Sequence, residues 1–139
     1  MSQSPGNRGK EAEALVKKHL TKLSSKACFT FYRFPDARAG SFQTTPADFM
    51  LVNSGKLILL EVKEVDHSFR LPHGNLSQVP RLARYELAGA TAYVLVYFKP
   101  EKLWRLARVS YFLEKSGGSW DMRNMQPTSL ESAIQTTLV

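Results

Sequence analysis

Pro46-Ala47-Asp48-Phe49-Met50-Leu51-Val52-Asn53-Ser54-Gly55-Lys56-Leu57-Ile58-Leu59-Leu60-Glu61-Val62-Lys63 is a pair of apolar runs on either side of a short polar turn. This pattern predicts a tight β-hairpin. With Ser54 and Gly55 as the loop residues, Asn53 pairs with Lys56, Val52 with Leu57, Met50 with Leu59 and Asp48 with Glu61. Directly paired side chains share a face roughly 5 Å apart, so both carboxylates can reach one cation. Strand side chains alternate, which puts Lys63 on the face of Glu61 and turns Val62 the other way. Both runs are apolar on both faces, as in the middle of a sheet covered on its two sides.

An Asp, a Glu and a Lys on one face at the end of such a hairpin suit metal-assisted cleavage of a phosphodiester. Hard oxygen ligands hold Mg²⁺, and the ion lowers the pKa of a bound water and neutralises charge developing on the phosphate. A neighbouring ammonium orients the attacking water or stabilises the pentavalent transition state. The plain alternative is a strand-end ion pair of Glu61 with Lys63 or Asp48, since Glu-x-Lys is common and structural ion pairs look alike. Context sharpens the first reading. The Asp enters a buried strand, the turn sets its register opposite the Glu, and Pro46 ends whatever precedes it.

Composition bounds the partners. A chain of 139 residues, 43% of them hydrophobic, suits one globular domain. Nineteen Lys and Arg against 12 Asp and Glu give a net charge of +7, and the pI is near 9.7. Such a field draws polyanions in a salt-sensitive way, nucleic acid ahead of an anionic membrane surface. No apolar run approaches the roughly 20 residues that span a bilayer, and residues 1–10 lack the apolar core of a signal peptide, so an intracellular, cytoplasmic protein is expected. Cys28 is the single cysteine, which excludes an internal disulfide and a zinc site with several thiolates. His19, His67 and His73 lack zinc-site spacing; His67 and His73 could meet DNA.

Outward from the hairpin, the pattern alternates helix, strands, helix, strands, an α/β arrangement. Residues 9–23 predict a helix with Ala12, Leu15, Val16, His19, Leu20 and Leu23 inward and Lys10, Lys17, Lys18 and Lys22 largely outside. Glu13 lies near the edge of that stripe, where periodicity favours a pair with Lys17 over a lean into the metal site. Residues 29–34 predict a strand, and 36–45 a long polar loop with Arg38, Gly40 and Ser41. Residues 64–75 read as a connection. Residues 77–88 predict a helix with Ser77 as N-cap, Pro80 in its first turn and Gly89 as its stop; Gln78, Arg81 and Arg84 lie toward a DNA-facing side and Leu82, Tyr85 and Leu87 offer packing surface. Strands follow at 91–98 and 103–107, a short helix at 109–115, then a polar tail from Gly117 with a weakly helical 129–138.

The chain resembles the PD-(D/E)XK nuclease superfamily, with Pro46-Ala47-Asp48 as the first motif and Glu61-Val62-Lys63 as the second. Within it, the sequence is most similar to RecU-type Holliday junction resolvases of bacteria and phages. Asn7-Arg8-Gly9 with Glu13, Thr44-Thr45 before the Asp strand, and Ser68-Phe69 followed by Gln78 carry the narrower match, over residues 7–112. The resemblance implies a restriction-endonuclease-like fold, a mixed central β-sheet flanked by helices, in a single nuclease domain with a core at about residues 7–116. It implies a homodimer with one site per subunit, Mg²⁺ or Mn²⁺ dependence, and four-way DNA junctions as substrate in a bacterial cell or phage-infected host. By the same resemblance Glu13 becomes a metal ligand or accessory and Gln78 a catalytic residue. The expected site holds Asp48 and Glu61 as metal ligands, the Val62 backbone carbonyl as a further one, and Lys63 at the water or phosphorane. Arg8, Lys10, Arg38, Arg70, Arg81 and Arg84 are the expected phosphate contacts. Two rivals remain: a restriction or repair nuclease acting on duplex or flap DNA, and a non-catalytic DNA-binding protein with a nuclease fold.

Overall fold

Ser54 and Gly55 close the hairpin at φ of 49° and 83°, the type I′ geometry whose twist matches the strands it joins. The computed structural model describes residues 10–35, 45–66, 69–114 and 117–139. Its elements are α1 (Lys10–Leu23), β1 (Phe29–Arg33), β2 (Phe49–Asn53), β3 (Lys56–Val65), β4 (Arg70–Pro72), α2 (Val79–Leu87), β5 (Thr91–Phe98), β6 (Leu103–Arg108), β7 (Ser119–Asp121) and α3 (Leu130–Leu138), with 3-10 turns at His73–Leu76 and Val109–Leu113. The hairpin register is the expected one, Asn53↔Lys56 through Met50↔Leu59 to Phe49↔Leu60.

Five strands form the main sheet in the order β1-β2-β3-β5-β6. β3 pairs antiparallel with β2 and parallel with β5, so the sheet is mixed and β3 is its centre. Alternation along β3 feeds two separate apolar layers. Leu59 and Val65 join Leu76, Val79, Leu82 and Phe112 under α2, while Ile58, Leu60 and Val62 join Ala12, Val16, Leu20, Ala133 and Ile134 under α1 and α3. Each large side chain so buried contributes about 1.5–3 kcal/mol, which makes the hairpin the centre of the fold as well as of the site.

Several elements depart from expectation. Residues 64–75 are no plain connection, because β3 runs on to Val65 and β4 pairs antiparallel with β7 through Leu71↔Trp120. Residues 117–139, a tail whose packing the sequence leaves open, join the core: Trp120 and Met122 are buried in the first layer, and Trp120 Nε1 donates to the Glu114 carbonyl at 2.7 Å. α3 opens on a Ser129 cap, whose hydroxyl accepts from the Ser132 N–H at 3.2 Å, and Asn53 Nδ2 donates to the Leu138 carbonyl at 3.2 Å. The N-cap of α2 is Gln78, with no side-chain cap bond, in place of Ser77. Leu87 is 90% exposed, Tyr85 39% and Leu15 38%, against the expected packing roles. At about 100° per residue, Leu87 sits some 140° round the helix from buried Leu82, and Leu15 falls outside the narrow arc of Ala12, Val16 and Leu20. Among the described residues, no helix is long and apolar enough to cross a membrane.

Candidate active site

β2 and β3 separate one step past Phe49↔Leu60, and Asp48 and Glu61 stand at that fork. The next rung is made by a side chain: the Val62 N–H donates to Asp48 Oδ2 at 2.8 Å. From the other flank, the Phe34 N–H donates to the Asp48 carbonyl at 2.9 Å. Asp48 is therefore held by both neighbouring strands. Glu61 is 1% exposed, and Lys63 Nζ lies 3.1 Å from its Oε2. That contact is an ion pair without hydrogen-bond alignment, so Oε2 is buried with no hydrogen-bond donor.

Glu13 arrives from α1. Its Oε2 pairs with Arg33 Nη2 at 3.3 Å and its carboxyl meets that of Asp48; the expected partner Lys17 is exposed instead. Two features set the helix at this height. Ala12, Val16 and Leu20 are fully buried against the sheet, and Glu64 Oε1 accepts from the Ala12 N–H at 3.0 Å. That N–H belongs to the first turn, where a helix cannot satisfy its own donors. Glu64 is itself braced by Lys99, whose Nζ is 3.4 Å from Glu64 and 3.0 Å from Glu11.

Burial is the first cause of the site's electrostatics. It pushes the Glu13 carboxyl up to about 7, with the charge of Asp48 adding to it and Arg33 opposing. Asp48 is pushed up to about 6 by burial and by Glu61, against the Val62 N–H. Glu61 is raised as well, burial outweighing the ammonium of Lys63. Converging carboxylates of this kind cannot all ionise alone, and a cation removes the penalty. Among the described residues, no three His, Cys, Asp or Glu side chains are already disposed as a cage. Mg²⁺ does not ask for one, because it keeps several waters and takes one or two carboxylates. An all-oxygen donor set, with Glu61 Oε2 buried and accepting no hydrogen bond, fits such an ion, which Asp48, Glu61 and the Val62 carbonyl could hold.

The remaining expected residues divide. Gln78 stands at the start of α2 with Oε1 buried and without a hydrogen-bond partner among the described residues. Arg81 Nη1 donates to the Thr45 carbonyl at 3.0 Å, just ahead of Asp48. Arg84 and Lys10 are exposed on α2 and α1. Arg70, on β4, lies 3.9 Å from Asp121 and 3.5 Å from Ser119 Oγ. Arg8, Arg38, Thr44, His67 and Ser68 lie outside the described residues. Arg33 and Glu64 were not anticipated. Arg33 carried a signal, since it continues the Phe29, Phe31 face of β1 and a charge on an apolar stripe needs a partner; Glu64 carried none apart from its neighbours.

No protein-family model matches the chain, and no curated protein sequence does. Among solved structures, it is similar to Hjc, a Holliday junction resolvase from the archaeal hyperthermophile Archaeoglobus fulgidus, at 24% identity over 80% of this chain and 84% of that one, with a TM-score of 0.53. It is also similar to the bacterial homing endonuclease I-Ssp6803I, at 12% identity over 99% of this chain and 93% of that one, with a TM-score of 0.54. The mixed sheet with helices on both faces is the restriction-endonuclease-like fold.

Proposed function

We propose that this chain is a metal-dependent, structure-selective DNA endonuclease that cuts branched DNA in the manner of a Holliday junction resolvase. One observation carries the reading: a nuclease fold whose central hairpin forks at Asp48 and Glu61, with Lys63 beside them and Glu13 brought in from α1. Asp48, Glu61 and the Val62 carbonyl hold Mg²⁺, for which Mn²⁺ can substitute, and Glu13 completes the acidic rim. The bound ion supplies an activated water and charge neutralisation at the phosphate. Lys63, tethered to Glu61, orients the attacking water and offsets charge on the phosphorane. Gln78 serves the outer part of the site. Arg8, Lys10, Arg38, Arg70, Arg81 and Arg84 hold neighbouring phosphates, which the net charge of +7 favours. A homodimer, acting in the cytoplasm of a bacterium or phage-infected host, supplies the two matched cuts that a four-way junction requires.

The test incubates the purified protein with end-labelled four-way junction, linear duplex and flap DNA, in Mg²⁺ or EDTA, beside Glu61→Gln. Paired nicks confined to the junction, present with metal and absent in the variant, are the expected result. Metal-dependent cutting of duplex or flaps would keep the centre and move the role to restriction or repair. Tight binding with no cleavage of any substrate would overturn the enzymatic reading.

A further inference from the structure

β1 is an edge strand, and its side chains alternate between two tasks. Phe29, Phe31 and Arg33 face α1, the last of them holding Glu13. Tyr32 and Phe34 face the other way. The register Tyr32↔Met50, continued by the Phe34 N–H bond to the Asp48 carbonyl at 2.9 Å, puts both aromatics on the sheet face of Asp48, Glu61 and Lys63. Tyr32 is the diagonal neighbour of Asp48 across the strand pair, on the order of 7–8 Å away. Its ring meets that of Phe34 edge-on, with centroids 5.4 Å apart and planes at 83°. Phe34 is anchored against the apolar layer under α2, whereas Tyr32 is 52% exposed. A large aromatic at that exposure, fixed by a second ring and one strand from a phosphate-cleaving centre, is a surface built for something flat.

We propose that Tyr32 is a stacking platform for an unpaired nucleobase next to the scissile phosphate. The inference rests on the nuclease reading above and names what selects the substrate. The occupant follows from charge and shape: the net charge of +7 draws a polyanionic backbone, and the ring offers a π-face that every base can use. Bases inside a duplex are already stacked, and freeing one costs a few kcal/mol. An unpaired base at a fork or flap comes without that cost, and at a four-way junction, whose bases are paired, a base at the crossover, where stacking is interrupted, is freed more cheaply than one inside a duplex. Tyr32 therefore favours branched over linear DNA without reading sequence.

The test uses a Glu61→Gln background in Mg²⁺, so that DNA stays uncut, with a forked DNA carrying unpaired 2-aminopurine at the branch and a matched linear duplex. Anisotropy reads affinity and 2-aminopurine fluorescence reads stacking. Adding Tyr32→Ala is expected to weaken fork binding by about tenfold, change duplex binding by less than about twofold and abolish the quench. Tyr32→Phe, which keeps the ring, is expected to retain both. Equal loss on fork and duplex, or no quench with Tyr32 present, overturns the platform while metal-dependent cleavage by the wild-type chain leaves the nuclease reading standing. If Tyr32→Ala instead splits a dimer in sedimentation and weakens both DNAs alike, the ring is a subunit contact and the proposal fails. Absence of any DNA binding or cleavage by the wild-type chain removes both readings together.

Discussion

Two charged clusters of this molecule use the same residue types to opposite ends. At the β2–β3 fork, Glu13, Asp48 and Glu61 are raised above their ordinary values, because burial outweighs Arg33 and Lys63. At the rim of the β4–β7 pair, Asp121 is pulled down to about 2 by hydrogen bonds from Arg123, with Arg70 also drawing it down. Arg123 Nη2 stands 2.7 Å from Asp121 Oδ2 in an exposed pair. Asp121 is neutralised as it stands, with two arginines beside it. The fork is short of positive charge, and perturbed carboxyls of this kind cluster at functional sites.

The sharpest way to break the contrast is to remove one carboxylate from each cluster. Asp48→Asn or Glu61→Gln is expected to lower cleavage by at least about 10³-fold, and Lys63→Ala by about 10²–10³-fold, with DNA binding largely kept. Metal-free Glu61→Gln is also expected to melt above the wild-type protein at pH 8, since an isosteric amide sheds the cost of a buried charge. Asp121→Asn is expected to leave cleavage at the wild-type rate and to lower the melting temperature slightly. Wild-type turnover in either fork variant would remove the site assignment.

Acid and base should move the two clusters in opposite senses. A carboxyl whose value rises on folding binds more protons folded than unfolded between its two values, so stability falls as pH climbs through that span. For Glu13 the span runs from 4.5 to about 7, and for Asp48 from 3.8 to about 6. The metal-free protein is therefore expected to lose stability from pH 4.5 to 7, with Mg²⁺ restoring it and Glu13→Gln flattening the slope. Asp121, lowered from 3.8 to about 2, stabilises above pH 4, and that contribution fades only as pH drops toward 2. Thermal melts across pH 3–8, with and without Mg²⁺, check both; a wild-type slope unchanged by Glu13→Gln would refute the shared burial.

How far each cluster could be read from sequence follows from the reach of the contacts that build it. Asp48 opposite Glu61 is set by a two-residue turn and counting, so the register and the meeting of the two carboxyls at the fork were legible together. The Glu13 contact depends on how α1 is rotated over β1 and β3, which periodicity gives only to within an arc; its local rule pointed to Lys17. β4 and β7 were invisible because each has three residues, one of them Pro72, and they meet across most of the chain's second half. Leu87 misled because an apolar residue marks a helix face only where a neighbour covers it.

Glu64 sharpens the comparison at the next level of effect, as the residue that sets α1 without touching the reacting atoms. Its carboxylate holds the Ala12 N–H at 3.0 Å, one residue from Glu13. Glu64→Ala is expected to cost about 1–3 kcal/mol through that orphaned donor and to lower activity or Mg²⁺ affinity by about 10–100-fold, as loss of an outer partner does at metal sites. Glu64→Gln keeps an acceptor for the same N–H and should recover most of the affinity. Equal damage from both substitutions would mean that the pair with Lys99, and not the helix anchor, matters.

The smallest effects separate the two clusters' outlying arginines. Arg84 is exposed on α2, the helix whose first turn carries Arg81, hydrogen-bonded to the Thr45 carbonyl just ahead of Asp48, whereas Arg70 shares its charge with Asp121. A side chain that neutralises one phosphate contributes about 0.9 to the slope of log affinity against log salt. Arg84→Ala should lower that slope by about this amount. Arg70→Ala should lower it by less than half as much, because the charge of Arg70 is already partly met by Asp121 and so neutralises less of a phosphate. Slopes measured between 50 and 200 mM salt decide the order. A larger loss at Arg70 than at Arg84 would place the DNA path over the β4–β7 rim and make that rim part of the binding surface.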